Sequence, residues 1–325
     1  MKVLVTGAAG FIGMHCAKRL LDRGDEVLGI DNLSPYYSVE LKKARLKRLG
    51  HDKFRFEQLD LVNAPEVENL FKNYKPSAVL HLAAQPGVRY SLQNPDSYVQ
   101  SNLVGFAAVL ECCRRWPPQH LVFASSSSVY ANNPKLPWSE SDNVDHPISL
   151  YAATKKSNEL MAHVSSHLYG FSATGLRYFT VYGPWGRPDM SAVLFAHAIM
   201  QGKPIQVFNH GDMQRDFTYI DDIVEGTLRV LDQPAPRAGP ANAPYAIYNI
   251  GNHKPVRLLD YIAALERVLG RKAEIEMKPM QPGDVKATYA DTKALARAAG
   301  FAPSTPLDQG LVKFAEWFKS YYGYA

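Results

Sequence analysis

Apolar and polar positions in the first half of the chain switch between two rhythms. Residues 2–6 form a short apolar block, as a buried strand requires. Residues 11–23 then place Ile12, Cys16 and Leu20 at helical spacing and stop at Gly24. The pair repeats. Strands are predicted at 26–31, 54–59, 78–83, 120–125 and 173–178, and helices at 41–49, 66–74, 102–115 and 151–169. Strands that alternate with helices at this spacing bury both faces of a sheet. The chain is therefore expected to be α/β, built on a doubly wound parallel sheet.

The rhythm breaks near residue 180. Gly183, Pro184, Gly186 and Pro188 crowd together and read as a loop. Residues 233–245 hold Pro234, Pro236, Pro240 and Pro244, which predicts a surface loop and the least ordered stretch. An amphipathic helix over 307–322 closes the chain. The expected division is a first domain over 1–180 and a smaller α/β domain over 181–325, with some elements returning to the first.

The composition narrows the class. Of 325 residues, 46% are apolar and 21% charged, which excludes a disordered tail, a collagen-like fibre and a disulfide-stapled mini-domain. Lys and Arg number 36 against 31 Asp and Glu, a net +5. That excess is too small to point to nucleic acid and suits small anionic ligands. Cys16, Cys112 and Cys113 make no disulfide framework, so a reducing compartment is expected. No apolar run reaches about 18 residues, so no membrane span is expected. Gly7, Gly10 and Gly13 interrupt the apolar N-terminus and no clear cleavage site follows, so the reading is a mature, cytoplasmic protein.

Thr6-Gly7-Ala8-Ala9-Gly10-Phe11-Ile12-Gly13 sits between the first strand and the first helix. Small residues there let the backbone approach a pyrophosphate, and the helix N-terminus adds partial positive charge. Asp31 ends the second strand, where a carboxylate accepts from ribose hydroxyls and repels a 2′-phosphate. This is the Rossmann arrangement, and it favours NAD over NADP. Asn32 follows in place of an arginine, and Asp60 closes the third strand on the adenine side.

Tyr151 and Lys155 lie one helical turn apart. A phenol near pKa 10 is a weak base at neutral pH, and a cation beside it stabilises the phenolate. Lys155 also suits the nicotinamide ribose. Upstream, Ser125-Ser126-Ser127-Ser128 stands at the C-terminal end of the fifth strand, where four hydroxyls suit a sugar.

Together these residues resemble the extended short-chain dehydrogenase/reductase family. The carriers are the glycine run, Asp31, His81-Leu82-Ala83-Ala84, Ser126, Tyr151-x-x-x-Lys155 and Arg177-Tyr178-Phe179. Within it, the runs at 182–190, 213–222 and 281–285 are similar to the UDP-glucuronate 4-epimerases, a group of nucleotide-sugar epimerases. The resemblance implies a catalytic triad of Ser126, Tyr151 and Lys155. It implies a cofactor set of Gly7, Gly10, Phe11, Ile12, Gly13, Asp31, Asn32, Asp60, Leu61, Leu82, Ala83, Ala84, Tyr151, Lys155 and Tyr178. It places Arg89 and Arg215 near a UDP diphosphate, Phe208 near the uracil and Asp284 near the uridine ribose. Some members carry threonine where Ser126 stands; the hydroxyl survives. A homodimer through the helices at 101–115 and 151–169 is also implied.

The implied reaction is reversible C4 epimerisation of UDP-glucuronic acid to UDP-galacturonic acid. Tyr151 takes the C4 hydroxyl proton, hydride passes to NAD, and a transient 4-keto sugar takes it back on its other face. A C4 ketone beside a C6 carboxylate is a β-keto acid and can lose carbon dioxide. Ser127, Ser128, Thr180 and Arg187 are expected to hold the carboxylate, with Arg187 as the charged partner. Decarboxylases and dehydratases of this type carry a carboxylate beside the catalytic hydroxyl; Ser126-Ser127-Ser128-Val129 has none. UDP-glucose 4-epimerisation and a non-catalytic dinucleotide-binding regulator remain as alternatives. No metal is expected: His163 and His167 have zinc spacing but lack the metalloprotease glutamate. Lys42, Lys43, Arg45, Lys47 and Arg48 are expected on a solvated face or, as the second reading, near the cofactor phosphates.

Overall fold

The computed structural model describes every residue except Asn132, Pro240, Pro282 and Ala325. Pro240 of the proline-rich loop and Pro282 of the 281–285 run therefore lie outside the described residues. The first half runs β1 (Lys2–Thr6), α1 (Phe11–Asp22), β2 (Glu26–Asp31), α2 (Val39–Lys47), β3 (Phe54–Gln58), α3 (Ala64–Tyr74), β4 (Ala78–His81), two short turns α4 (Tyr90–Gln93) and α5 (Pro95–Tyr98), α6 (Gly105–Arg115), β5 (His120–Ser126), α7 (Leu150–Tyr169) and β6 (Ser172–Tyr178). Helix α2 begins before the expected position because Ser38 caps it, accepting from the Leu41 amide at 3.2 Å. The helix expected from residue 102 begins as a π-helical segment, Val99–Val104. There Asn102 turns inward, accepting from the Gln85 amide at 2.8 Å and donating to the Thr154 hydroxyl at 3.0 Å.

The second half contributes β7 (Thr180–Tyr182), α8 (Ser191–Gln201), β8 (Ile205–Val207), β9 (Gln214–Tyr219), α9 (Ile220–Leu231), β10 (Tyr245–Ile250), β11 (Pro255–Arg257), α10 (Leu258–Leu269), β12 (Ile275–Met277), α11 (Lys293–Ala299) and α12 (Leu307–Tyr322). The main sheet has seven parallel strands in the order β10-β6-β5-β4-β1-β2-β3. Strand β10 thus returns from the second half to pair with β6. Smaller sheets, β11-β9-β7 and β12-β8, stand beside it.

Side-chain alternation divides the core. On β1, Val3 and Val5 face one side and Leu4 the other, all fully buried. One side packs on Met14 and Leu20 of α1 and Val224 of α9, and continues to Phe217, Tyr261, Phe314 and Phe318 of the second half. The other packs on Phe71 of α3 and Phe106 of α6. The parallel register lines up the C-terminal ends of the strands: Thr6 pairs with His81, and Ser126 with Tyr178.

Between α7 and β6 lies a buried ion pair. Arg177 donates from Nε and Nη2 to the two oxygens of Glu159, both at 2.8 Å, and each side chain is 4% exposed. The Ser125 hydroxyl donates to Glu159 at 2.6 Å, and Arg177 Nη1 donates to the Tyr130 hydroxyl at 2.9 Å. Arg177→Met leaves the carboxylate buried without its cation. It is expected to lower stability by about 3–5 kcal/mol, with the Glu159→Leu/Arg177→Met pair losing markedly less. Urea unfolding of both variants checks this; equal losses would refute the assignment.

Candidate active site

One cavity of about 1010 Å³ opens along the C-terminal ends of the strands. Every candidate site residue lines it, from Gly7 and Asp31 at one end to Arg89, Arg215 and Asp284 at the other.

The glycine loop is shaped for close approach. Gly7 has φ +72°, and a Cβ there would lie 2.8 Å from the Ala83 nitrogen. A Cβ on Gly13 would lie 2.0 Å from the Gly7 carbonyl oxygen. No side chain caps α1, so its first amides stay available to an anion. Phe11 and Ile12 sit in that turn. Asp31 accepts from the Leu33 amide at 2.8 Å and the Ala9 amide at 3.2 Å. Asn32 donates to Asp60 at 2.9 Å, which sets Asp60 and Leu61 beside Asp31. Leu82, Ala83 and Ala84 form the facing wall, with the Ala83 amide donating to Thr6 Oγ1 at 3.1 Å. These residues fit a dinucleotide: a cradle that side chains would fill, amides facing it and a fixed carboxylate at the ribose position.

Helix α7 brings in the reactive pair. Ser149 caps it, accepting from the Ala152 amide at 3.1 Å, and this sets Tyr151 in the first turn. Lys155 Nζ donates to the Ala124 carbonyl at 2.8 Å. Ser126 accepts from the Ser128 amide at 3.2 Å and donates to its hydroxyl at 3.1 Å. Burial raises the Tyr151 pKa above 10, while a hydrogen bond from Ser126 and the charge of Arg187 pull it down. Burial lowers Lys155 to about 8, against the attraction of Glu159 one turn on. In the protein alone burial holds the Tyr151 phenol above its ordinary value, and the charge of Arg187 opposes this.

At the sugar end, Arg187 Nε donates to Asp189 Oδ1 at 3.0 Å, and Nη2 donates to Oδ2. Ser127, Ser128, Thr180 and Tyr178 complete this wall. At the far end Arg89 donates to Asp284 at 2.9 Å and lies 4.7 Å from the Phe208 ring centroid. Arg215 donates to the Gln214 carbonyl at 2.8 Å; burial lowers its pKa while Asp284 raises it.

Residues 3–251 match the profile of the NAD dependent epimerase/dehydratase family. The chain belongs to that family. It is 51% identical over 332 residues to Protein CapI of Staphylococcus aureus, covering 99% of each chain. It is 48% identical to UDP-glucuronate 4-epimerase 3 of Arabidopsis thaliana, over 98% of this chain and 77% of that one. Among solved structures, the UDP-glucuronic acid 4-epimerase of Bacillus cereus with UDP-glucuronic acid and NAD superposes with a TM-score of 0.90 at 34% identity, covering 99% of this chain and 100% of that one.

Around the family's site the structure corrects the reading of the basic helix. Lys43, Lys47 and Arg48 are exposed, but Lys42 and Arg45 are buried. Lys42 lies 3.8 Å from Asp31 and 4.9 Å from the Tyr37 ring centroid. Arg45 donates to the carbonyls of Ala9, Trp185 and Gly186 and to the Tyr37 hydroxyl. The 183–190 loop lies over α2, and its carbonyls need donors. Tyr36 and Asp189 also line the cavity and are bonded to each other, which the sequence reading does not single out. Adjacent tyrosines just past Asp31, and an acid two residues past Arg187, are the signals the sequence offers. His163 instead meets the Tyr245 ring edge-on, and no metal-binding group of three occurs among the described residues.

Lys155 falls from 10.5 to about 8 on folding. Between those values the unfolded chain binds the extra proton, so stability through this residue rises with pH. The stability of the wild type minus that of Lys155→Met is expected to grow from pH 8 to pH 10, measured by urea unfolding; a constant difference would refute it.

Proposed function

We propose that the protein interconverts UDP-glucuronic acid and UDP-galacturonic acid by inverting C4 of the sugar. The carrying observation is one cavity wall that sets Ser126, Tyr151 and Lys155 beside Arg187 and the hydroxyls of Ser127, Ser128 and Thr180. The names of the Arabidopsis relative and of the Bacillus structure's ligand support the same substrate. As a member of its family the protein uses NAD. Gly7, Gly10, Phe11, Ile12 and Gly13 would hold the pyrophosphate, Asp31, Asn32, Asp60 and Leu61 the adenosine, and Leu82, Ala83, Ala84, Tyr151, Lys155 and Tyr178 the nicotinamide end. When bound, NAD supplies a two-electron acceptor that is restored each turnover.

The chain's own groups handle the proton. Tyr151 accepts the C4 hydroxyl proton as its phenolate and becomes the neutral phenol; Ser126 supports the phenolate by hydrogen bond beforehand. The charge of Arg187 opposes the burial that raises the phenol's pKa. Arg89, Arg215, Phe208 and Asp284 grip UDP away from the reacting carbon, so binding energy does not depend on which face of the sugar is presented. Arg187 takes the C6 carboxylate, which a neutral hexose lacks, and this favours the uronate over UDP-glucose. An intact Ser126, Tyr151 and Lys155 set stands against the regulator reading.

Within this reading residues 1–180 form the NAD-binding domain and also supply Arg89, Ser126, Ser127, Ser128 and Thr180 to the UDP-sugar, and 181–325 form the UDP-sugar-binding domain. A cytoplasmic setting is supported by three buried free cysteines; among the described residues no helix is long and apolar enough to cross a membrane. A homodimer is supported by Leu160, Val164 and Leu168, which form an exposed stripe on α7 at 55, 53 and 62% exposure.

Purified protein given UDP-glucuronate should form UDP-galacturonate, read by chromatography. Tyr151→Phe should slow this about 100-fold or more. No product, even with added NAD, ends the proposal. Arg187→Ala should erase the preference for UDP-glucuronate over UDP-glucose; an unchanged ratio would remove Arg187 from the uronate site.

A further inference from the structure

A guanidinium has two forks: one formed by Nε and Nη2, the other by Nη1 and Nη2. In Arg187 the first fork is taken by both oxygens of Asp189. Among the described residues Nη1 has no acceptor, and the side chain lines the cavity beside Ser126 and Tyr151. The guanidinium is therefore pinned along one edge and presents the other.

Asp189 is itself held. The Tyr36 hydroxyl donates to its Oδ2 at 3.0 Å. Tyr36 reaches this point across the cavity from the loop that begins at Asp31. That loop is stiffened by side-chain to backbone bonds: Asp31 accepts from Leu33, Asn32 from Ser34 at 2.9 Å, and Ser34 from Tyr36 at 3.4 Å. Gly87 leaves room for the phenol, since a Cβ there would lie 2.8 Å from the Tyr36 oxygen. The Tyr90 ring packs on Tyr36 with centroids 4.7 Å apart. Burial and the Asp189 charge raise the Tyr36 pKa to about 12, so it stays a donor.

We propose that Asp189 and Tyr36 are positioning residues that fix the plane of Arg187, so that the sugar carboxylate docks on its second fork and is kept from leaving as carbon dioxide. This rests on the 4-epimerase reading above. The side reaction begins at the 4-keto sugar. The C5–C6 bond breaks, its electron pair passes into the C4 carbonyl as an enolate, carbon dioxide departs, and C5 takes up a proton. It runs only when the C5–C6 bond lies along the carbonyl π system. The angle at which the carboxylate is held therefore decides its rate, and a strong but unoriented grip gives no protection. Asp189 trades part of the Arg187 charge for a fixed direction.

The test is the partition of product, a ratio that does not depend on how much enzyme is folded. Asp189→Asn is isosteric, and Tyr36→Phe removes only the hydroxyl. Each variant and the wild type are given UDP-glucuronate, and UDP-galacturonate is measured against released carbon dioxide and the UDP-linked 4-keto pentose it leaves, together with any pentose formed when that ketone takes the hydride back. The decarboxylated share should rise roughly tenfold in Asp189→Asn and by a smaller factor in Tyr36→Phe. The KM for UDP-glucuronate should not rise, since the guanidinium is left with more charge. A wild type that epimerises while both variants keep its partition overturns this proposal and leaves the epimerase reading intact. A raised KM with unchanged partition does the same. A wild type that makes no UDP-galacturonate overturns the epimerase reading and this proposal with it.

Discussion

Glu159 is carried into the interior by the same helix that carries Tyr151 and Lys155, and Arg177 meets it from the neighbouring strand. Stripping water from two charges is costly, and the pair is tolerable only because its bonding capacity is filled. Both guanidinium donors of one edge, the Ser125 hydroxyl and Tyr130 complete the set. The geometric result matters more than the energy. Glu159 lies one turn beyond Lys155 and two beyond Tyr151, so anchoring it fixes the roll of α7. Ser125 joins the same carboxylate from the residue next to Ser126. One ion pair thus registers the helix that bears the phenol against the strand that bears the hydroxyl.

The alternating sheet was legible because it rests on local rules. A buried parallel strand needs a run of apolar residues, and a covering helix needs a stripe of them; neither depends on a distant partner. The glycine loop was legible for the same reason. Gly7 and Gly13 answer to contacts with the neighbouring turn and strand, and Asp31 ends a strand paired directly to β1. Arg89, Phe208, Arg215 and Asp284 rest on resemblance, since their contacts span long stretches of chain. Arg89 meets Asp284 across nearly two hundred positions, and no periodicity announces such a pairing.

Helix α2 shows where pattern reading fails. Its charges look like a solvated face because burial is normally reserved for apolar side chains. Here the surface above it is a loop whose Trp185 and Gly186 carbonyls point at the helix and accept from Arg45, and a guanidinium is the right complement to that surface. At Tyr151 the spacing shows a cation one turn away. It does not show the burial that raises the phenol, or the Ala124 carbonyl that takes a lysine N–H. Those are three-dimensional facts with no trace in spacing.

The apolar core passes without interruption from Val3 under the main sheet to Phe318 near the C-terminus. The two halves of the chain share it, so moving one far from the other would break apolar packing. The chamber at the strand ends is cut from that single body. A ketone that must show both faces to one reagent would there turn about its nucleotide tether.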